Sequence, residues 1–429
     1  MLHTRAKMLV AASALTIGAL ALTGCTNGGA GSADAKGANI VYVVPNSWAT
    51  TGAFQENLKA WEAKSGNTVE VQAVPDEQYD STVQTRLTGG EGIDIFAGQD
   101  SISDPASVML EISGQPFEKR MNPDAYTAMK AADGKVYGFP SADGLASFGV
   151  FYNKDVFTAA GVTVPRTLGD LTSDMEAIKA AGKTPLFLAG KDGWTLLQHR
   201  NSVNALMFKS NKNVASELEK NTLTWAKAPG FDEQYTALAG WAKNGLLNSD
   251  VLTATYEQSQ KALVDGDAAM IINGSWVLSA LRELKPNANI GFFALPNGAG
   301  DAQIGLSRVN IMHVAAKSKV AAQAKDLLNF MVEKEQVAAF LAKAPGIPAF
   351  TDVTVAKADP VITDIQGYVD NGQSGPAFDT ALTFPTPEQD LIASYQELLA
   401  GRVSAAEFAT AVDKAWSNAG KTAGLDGFK

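Results

Sequence analysis

Strand-like and helix-like segments alternate along most of this chain, and that alternation limits its fold more than any other feature. The run Ile40-Val41-Tyr42-Val43-Val44 is β-rich and stops at Pro45. Phe54, Leu58 and Trp61 then recur at helical spacing, Gly66 ends the run, and Thr68-Val69-Glu70-Val71 begins a second strand. A polar helix from about Gln78 to Thr88 leads through Gly89-Gly90 to a third strand, Ile93-Asp94-Ile95-Phe96-Ala97. Thr167, with Asp170 three residues on, has the form of a helix cap for a run that stops at Gly182. Pro185–Leu188, Ala268–Ile272 and Val309–Ala315 are further strands. The last is followed by a helix with Ala324, Leu327, Leu328 and Met331 on one face, and Pro387 to Ala419 is mostly helical. Strands alternating with helices mean βαβ units, hence an α/β fold with a largely parallel sheet.

Composition removes several functions. At about 150 residues per domain, 429 residues make two or three domains. With 35 Lys plus Arg against 45 Asp plus Glu, the charge is −10, which is wrong for a chain that neutralises phosphates, so no nucleic-acid partner is expected. One cysteine permits neither an internal disulfide nor a Cys-rich metal centre. Gly182-Lys183-Thr184 and Gly420-Lys421-Thr422 imitate the end of a P-loop but lack its first glycine. Gly305-Leu306-Ser307-Arg308-Val309 lacks the last glycine of a nucleophile elbow. No catalytic residue, metal or cofactor is therefore expected. A lipid-anchored glycoside hydrolase, which needs only two spaced carboxylates, is the alternative this composition leaves open.

Residues 1–24 carry Arg5 and Lys7, then an apolar run from Met8 to Leu22 and no acidic residue, the pattern of a secretory signal peptide. The sole cysteine follows in Leu22-Thr23-Gly24-Cys25, which resembles the lipobox of bacterial lipoproteins. That resemblance implies a lipidated Cys25 as the mature N-terminus, anchored to the bacterial cell membrane on its extracytoplasmic side. Removal of the signal leaves 33 basic against 45 acidic residues, a charge of −12. Residues 25–38, rich in Gly, Ala and small polar side chains, read as a flexible tether.

In open α/β sheets ligands bind beyond the carboxyl ends of the strands. Asn46, Ser47 and Trp48 follow the first strand, and Gln99 and Asp100 the third. Asp192 and Trp194 lie beyond Pro185–Leu188, and Asn273 and Trp276 beyond Ala268–Ile272. Of the other tryptophans, Trp61, Trp241 and Trp416 sit in helical patterns as core, and Trp225 precedes a loop. Aromatic faces stack on the C–H faces of a sugar while short amides and carboxylates bond its hydroxyls, so the strand-end set suits a polyol.

A series of segments then carries a family resemblance: Tyr137-Gly138-Phe139-Pro140, Val150 to Phe157, Ala160-Gly161-Val162, Leu263 to Met270, Asn273-Gly274-Ser275-Trp276, Phe293-Ala294-Leu295-Pro296 and Gly346-Ile347-Pro348. In order and spacing they resemble the family-1 extracellular solute-binding proteins of bacterial ABC importers, the group that includes maltose-binding protein. The resemblance implies a two-lobed periplasmic-binding-protein type II fold, each lobe a mostly parallel sheet flanked by helices, with a ligand cleft between them. The N-lobe is expected at 39–147 and 304–345, and the C-lobe at 150–300 and 348–429. It further implies a monomer that carries a carbohydrate to the transmembrane subunits of an ABC permease. By match of motif, Trp276 is the sugar-stacking tryptophan, Asp100 the polar residue after the third strand, and Trp48 with Asn46 the first cleft loop. Asp143, in a stretch longer than in maltose-binding protein, and Arg308, on a crossover strand, are further cleft candidates. An arginine fork there suits a hydroxyl or an acidic sugar alike.

Overall fold

A computed structural model describes residues 35–429 apart from 50, 51, 99–101, 103, 132, 356, 357 and 383. The signal segment, Cys25, Gln99 and Asp100 thus lie outside the described residues. The strands are β1 (Asn39–Pro45), β2 (Thr68–Val74), β3 (Ile95–Ala97), β4 (Phe139–Asn153), β5 (Thr184–Leu186), β6 (Ala268–Gly274), β7 (Ile290–Phe293), β8 (Ile304–Val314) and β9 (Ser374–Pro376). They form one sheet in the order β2-β1-β3-β8-β4-β6-β5, with β7 also on β4 and β9 on β8.

The topology follows from how the strands are connected. β1 pairs in parallel with β2 and β3, and β5 with β6, as helical crossovers require. Antiparallel pairing enters only with β4 and β8, which run against each other and against β3, β6 and β7. These two long strands join the two halves of the sheet. Their mutual register slips twice, between Pro140 and Leu145 and between Leu145 and Ser147. Irregularity of this kind bends and twists a strand pair where it passes from one side to the other.

Strand ends differ from the sequence pattern for identifiable reasons. β6 runs on to Gly274 because Phe148 and Gly149 of β4 supply partners for Gly274 and Asn273. β8 begins at Ile304, ahead of Val309, because β9 and Phe148 offer ladder partners there. β5 stops at Leu186, where Leu188 turns its N–H to the side chain of Asn248 at 2.9 Å.

The buried apolar residues fall into two large groups. One joins Tyr42, Phe54, Trp61, Ile95, Phe117 and Phe139 to Met312, Leu327, Val337 and Phe350. The other joins Phe157, Met175, Met207, Trp241, Met270 and Phe293 to Phe378, Tyr395, Phe408 and Trp416, with a satellite around Phe151, Leu278 and Ile365. Each group draws on two well-separated stretches of chain. The helical tryptophans are core, and their indole N–H groups are satisfied: Trp61 by Asp326 (2.8 Å), Trp241 by Thr172 (2.9 Å) and Trp416 by the Leu218 carbonyl (3.0 Å). The capping box of Thr167 and Asp170 opens the helix Leu168–Ala180 as its spacing indicates.

Between the groups the chain passes a tight point at Gly144. Its φ is +71°, and it bridges to Ile347. A side chain there would run into the Ile347 carbonyl oxygen. Only glycine fits both requirements.

Candidate functional site

Where β4, β6 and β8 meet, a cavity of about 190 Å³ opens. Space of that size is well above the roughly 10–15 Å³ that one water needs. Two tryptophans form its aromatic wall. Trp194 sits in a short 3₁₀ turn, Gly193–Leu196, beyond β5, and Trp276 lies just past β6. Both are half-buried, with ring centroids 6.3 Å apart and planes at 46°. Trp276 meets Phe148 edge-on at 5.4 Å, and Trp194 meets Tyr256 at 4.9 Å. Gly274 allows this placement, since a Cβ at that position would strike the Trp276 ring.

The polar wall comes from elements far apart in sequence. The helix Leu197–Ser210 starts directly after the Trp194 turn and presents Gln198, Arg200 and Asn201. β8 contributes Ser307 and Asn310, and the C-terminal region Asp379 and Glu388. Gln198 donates to the Trp194 carbonyl at 2.9 Å and accepts from Asn201 at 3.1 Å, so the helix and the aromatic turn are tied together.

The sequence candidates divide accordingly. Trp194 and Trp276 are brought together in the cavity. Asn46, Ser47 and Trp48 form one helical turn after β1, and Trp48 leans on the first core group; none of the three lines this cavity. Asn273 is buried inside β6 and accepts from the Gly274 N–H at 2.8 Å, again outside the cavity wall. Asp143 and Arg308 lie on β4 and β8, and their side chains are outside what is described. Phe148, Gln198, Arg200, Asn201, Ser307, Asn310, Asp379 and Glu388 were not found from the sequence. One signal was present: Gln198, His199, Arg200, Asn201, Ser202 and Asn204 fall within seven consecutive residues, and all are buried. A buried helix that dense in polar groups marks a site or a network.

Carboxylates from both sides of the molecule approach one another near this region, and one hydrogen bond crosses between the sides. Ser47 donates its N–H to Asp76 at 3.2 Å, at the start of the helix Asp76–Gly89. Burial, above all, raises the Asp76 carboxyl from its ordinary value; bonds from Ser47 oppose this, and the nearby Asp192 and Glu257 carboxylates add to it. Asp192 in turn accepts from the Tyr256 N–H at 2.7 Å. Farther out, the N–H of Gly52, at the start of the helix Gly52–Ser65, donates to Glu283 at 3.0 Å. A carboxylate at a helix N-terminus is electrostatically favoured.

Behind the cavity wall, His199 is buried against Tyr235 and Tyr395, with ring centroids at 5.3 and 6.2 Å and neither ring nitrogen hydrogen-bonded among the described residues. Burial lowers its pKa to about 3. The folded state thus holds it neutral while the unfolded chain takes up a proton below the ordinary 6.5. Stability is unaffected above that value and is lost as pH falls from about 6.5 toward 3, at roughly 1.4 kcal/mol per pH unit for this one proton. Denaturant titrations between pH 7 and 4.5 check this: His199→Phe should remove that part of the slope.

The profile of the bacterial extracellular solute-binding protein family matches residues 47–338. The chain belongs to that family. It is similar to the melibiose/raffinose/stachyose-binding protein MelE of Bacillus subtilis (strain 168), 23% identical over 398 residues, 90% of each chain. It is also similar to a multiple sugar-binding protein of Streptococcus mutans serotype c, 27% identical over 281 residues, which cover 61% of this chain and 63% of that protein. Among solved structures, the solute-binding protein RafE in complex with raffinose has the same fold, with a TM-score of 0.74 at 20% identity, covering 89% of this chain and 99% of that one. The two-lobed α/β fold is thereby established, and membership of a family of binding proteins means that the chain is not an enzyme.

No group of His, Cys, Asp and Glu among the described residues could hold a metal ion. Among the same residues no helix is long and apolar enough to cross a membrane.

Proposed function

We propose that this protein captures a carbohydrate in the cavity between Trp194 and Trp276 and delivers it to the permease of an ABC importer. The observation that carries the reading is the pair of half-buried tryptophans facing a wall of amides, a guanidinium and carboxylates. Stacked aromatic faces with convergent hydrogen-bonding groups are what a sugar ring requires. The sugars named for MelE and RafE support the same class of ligand.

In this reading the lobes are 39–147 with 304–345 and 150–300 with 348–429, and the crossovers lie near Phe148 to Phe151 on β4, near Ile304 to Asn310 on β8 and near Gly346 to Pro348. The grouping of the core supports that division away from two boundaries: Ala349, Phe350 and Val353 pack with the first group, and Ile304 packs with the satellite of the second. A ligand touching both lobes favours the closed form only by its differential affinity for it. The protein works as a monomer in this reading, as the family resemblance implies.

The test is a thermal-shift and calorimetry panel of raffinose, stachyose, mannobiose and chitin oligosaccharides. A sugar at 100 times its dissociation constant adds about 2.7 kcal/mol of stability. Stabilisation without hydrolysis is expected; no response to any member would overturn the carbohydrate reading.

Anchoring is the second half of the proposal. Residues 1–24 act as the signal and Cys25 carries the lipid, at about 0.8 kcal/mol of membrane affinity per buried CH₂. Cys25→Ser is expected to move the protein from the membrane fraction to the soluble fraction of cells. Continued sedimentation with membranes would contradict the anchor.

A further inference from the structure

Relatives include one named for melibiose, raffinose and stachyose and one named for sn-glycerol-3-phosphate, and the cavity wall bears on whether this protein accepts a neutral or a charged ligand. Arg200 is the decisive group. Its side chain is only 5% exposed, it reaches Glu388 at 3.1 Å through Nη2, and its guanidinium lies 4.1 Å over the Phe378 ring. Its Nε and Nη1 have no hydrogen-bond partner among the described residues. A guanidinium does not give up its proton, so burial leaves a fixed charge with N–H donors still to be matched.

We propose that the Arg200–Glu388 pair makes this cavity selective for an uncharged, hydroxyl-bearing sugar ring and against sugars that carry a carboxylate or a phosphate. The inference rests on the carbohydrate reading above and sharpens it. Asp379 and Glu388 line the cavity, and Arg200, the described cation there, is already paired with Glu388. Asp192 and Glu257, close enough for their charges to act on Asp76, add no positive field there. An anionic ligand would lose its water to meet a guanidinium whose charge Glu388 already offsets, with that carboxylate beside it, and burial of a charge without a partner of its own is strongly unfavourable. A hydroxyl both accepts from the guanidinium and donates to a carboxylate, so it uses the pair without breaking it. An amino sugar would satisfy the carboxylates but offers its ammonium to a guanidinium with no acceptor in return.

The experiment is calorimetry on the wild-type protein, Glu388→Gln and Arg200→Gln. The probes are raffinose, stachyose and mannobiose, each beside its C6-oxidised uronate, and chitobiose beside its de-N-acetylated diamine. The wild type is expected to bind at least one neutral sugar and its uronate at least 100-fold more weakly. Glu388→Gln should narrow that ratio at least tenfold, because it frees a buried cation for an acid. Arg200→Gln should lose at least tenfold in neutral affinity with no gain for the uronate. Should Arg200→Gln fail to fold, Glu388→Gln decides alone, since that carboxylate is 51% exposed. The inference is overturned if the wild type binds a uronate or the diamine as tightly as the neutral partner, or if Glu388→Gln leaves the ratio unchanged. Absence of binding by every probe overturns the carbohydrate reading itself, and this inference with it.

Discussion

Replacing Trp276 with alanine should weaken carbohydrate binding at least about 30-fold, the roughly 2 kcal/mol or more typical of a central aromatic anchor. The argument is geometric. Trp276 is held by Phe148 edge-on, by the bare backbone of Gly274 and by Trp194, so its position is set before any ligand arrives. A preorganised ring gives its stacking energy without an ordering penalty. Because the residue is half-buried and lies at the margin of its core group, stability should fall far less than affinity. Titration calorimetry and a melting curve on the same sample separate the two effects. Unchanged affinity would remove Trp276 from the site. Trp194→Ala should act in the same direction with an added loss of stability, since its ring packs on Tyr256.

The second large effect concerns the junction of the two core groups. Gly144→Ala should destabilise the protein by about 3–5 kcal/mol, the range reserved for strain at a special backbone position combined with a steric clash. Two causes act together, and a control separates them. Gly161 has the same φ of +71°, yet nothing lies within 4 Å of the place where its Cβ would go. Gly161→Ala should therefore cost only about 1–2 kcal/mol, the penalty of the left-handed conformation. Gly144 has that penalty plus the collision with Ile347, whose carbonyl belongs to the backbone and cannot swing aside. Urea titrations of both variants test the difference. Equal losses would mean that the approach of Ile347 to β4 is not rigid.

Much of the fold was legible because the signals are local. Apolar runs closed by Pro45 and Gly66, the Thr167–Asp170 cap and the helical spacing of Trp61, Trp241 and Trp416 each depend on a few neighbouring residues. Strand lengths were less legible, since β6 and β8 are extended by partners on β4 and β9 that no local pattern contains. The same reason divides the site. Trp194 and Trp276 stand next to strand ends and glycines, so they could be found. Arg200 and Glu388 are 188 residues apart in sequence, and their meeting depends on the tertiary fold. Asp379 and Asn310 likewise look like ordinary surface residues until β8 and the C-terminal region are in place. Trp48, which the strand-end rule also selects, is half-buried beside the first core group and outside the cavity of Trp194 and Trp276.

The way each core draws on two stretches of chain also orders events during synthesis. The first group needs Ile311, Met312 and Val314 from β8, and then Leu327, Val337 and Phe350, before Tyr42, Phe54 and Ile95 are enclosed. More than three-quarters of the polypeptide must therefore be made before its N-terminal core can close. Domains fold as units, so until then the growing chain has no complete one at its leading end. Late closure of this core therefore leaves the leading end of the chain without its final packing through most of synthesis.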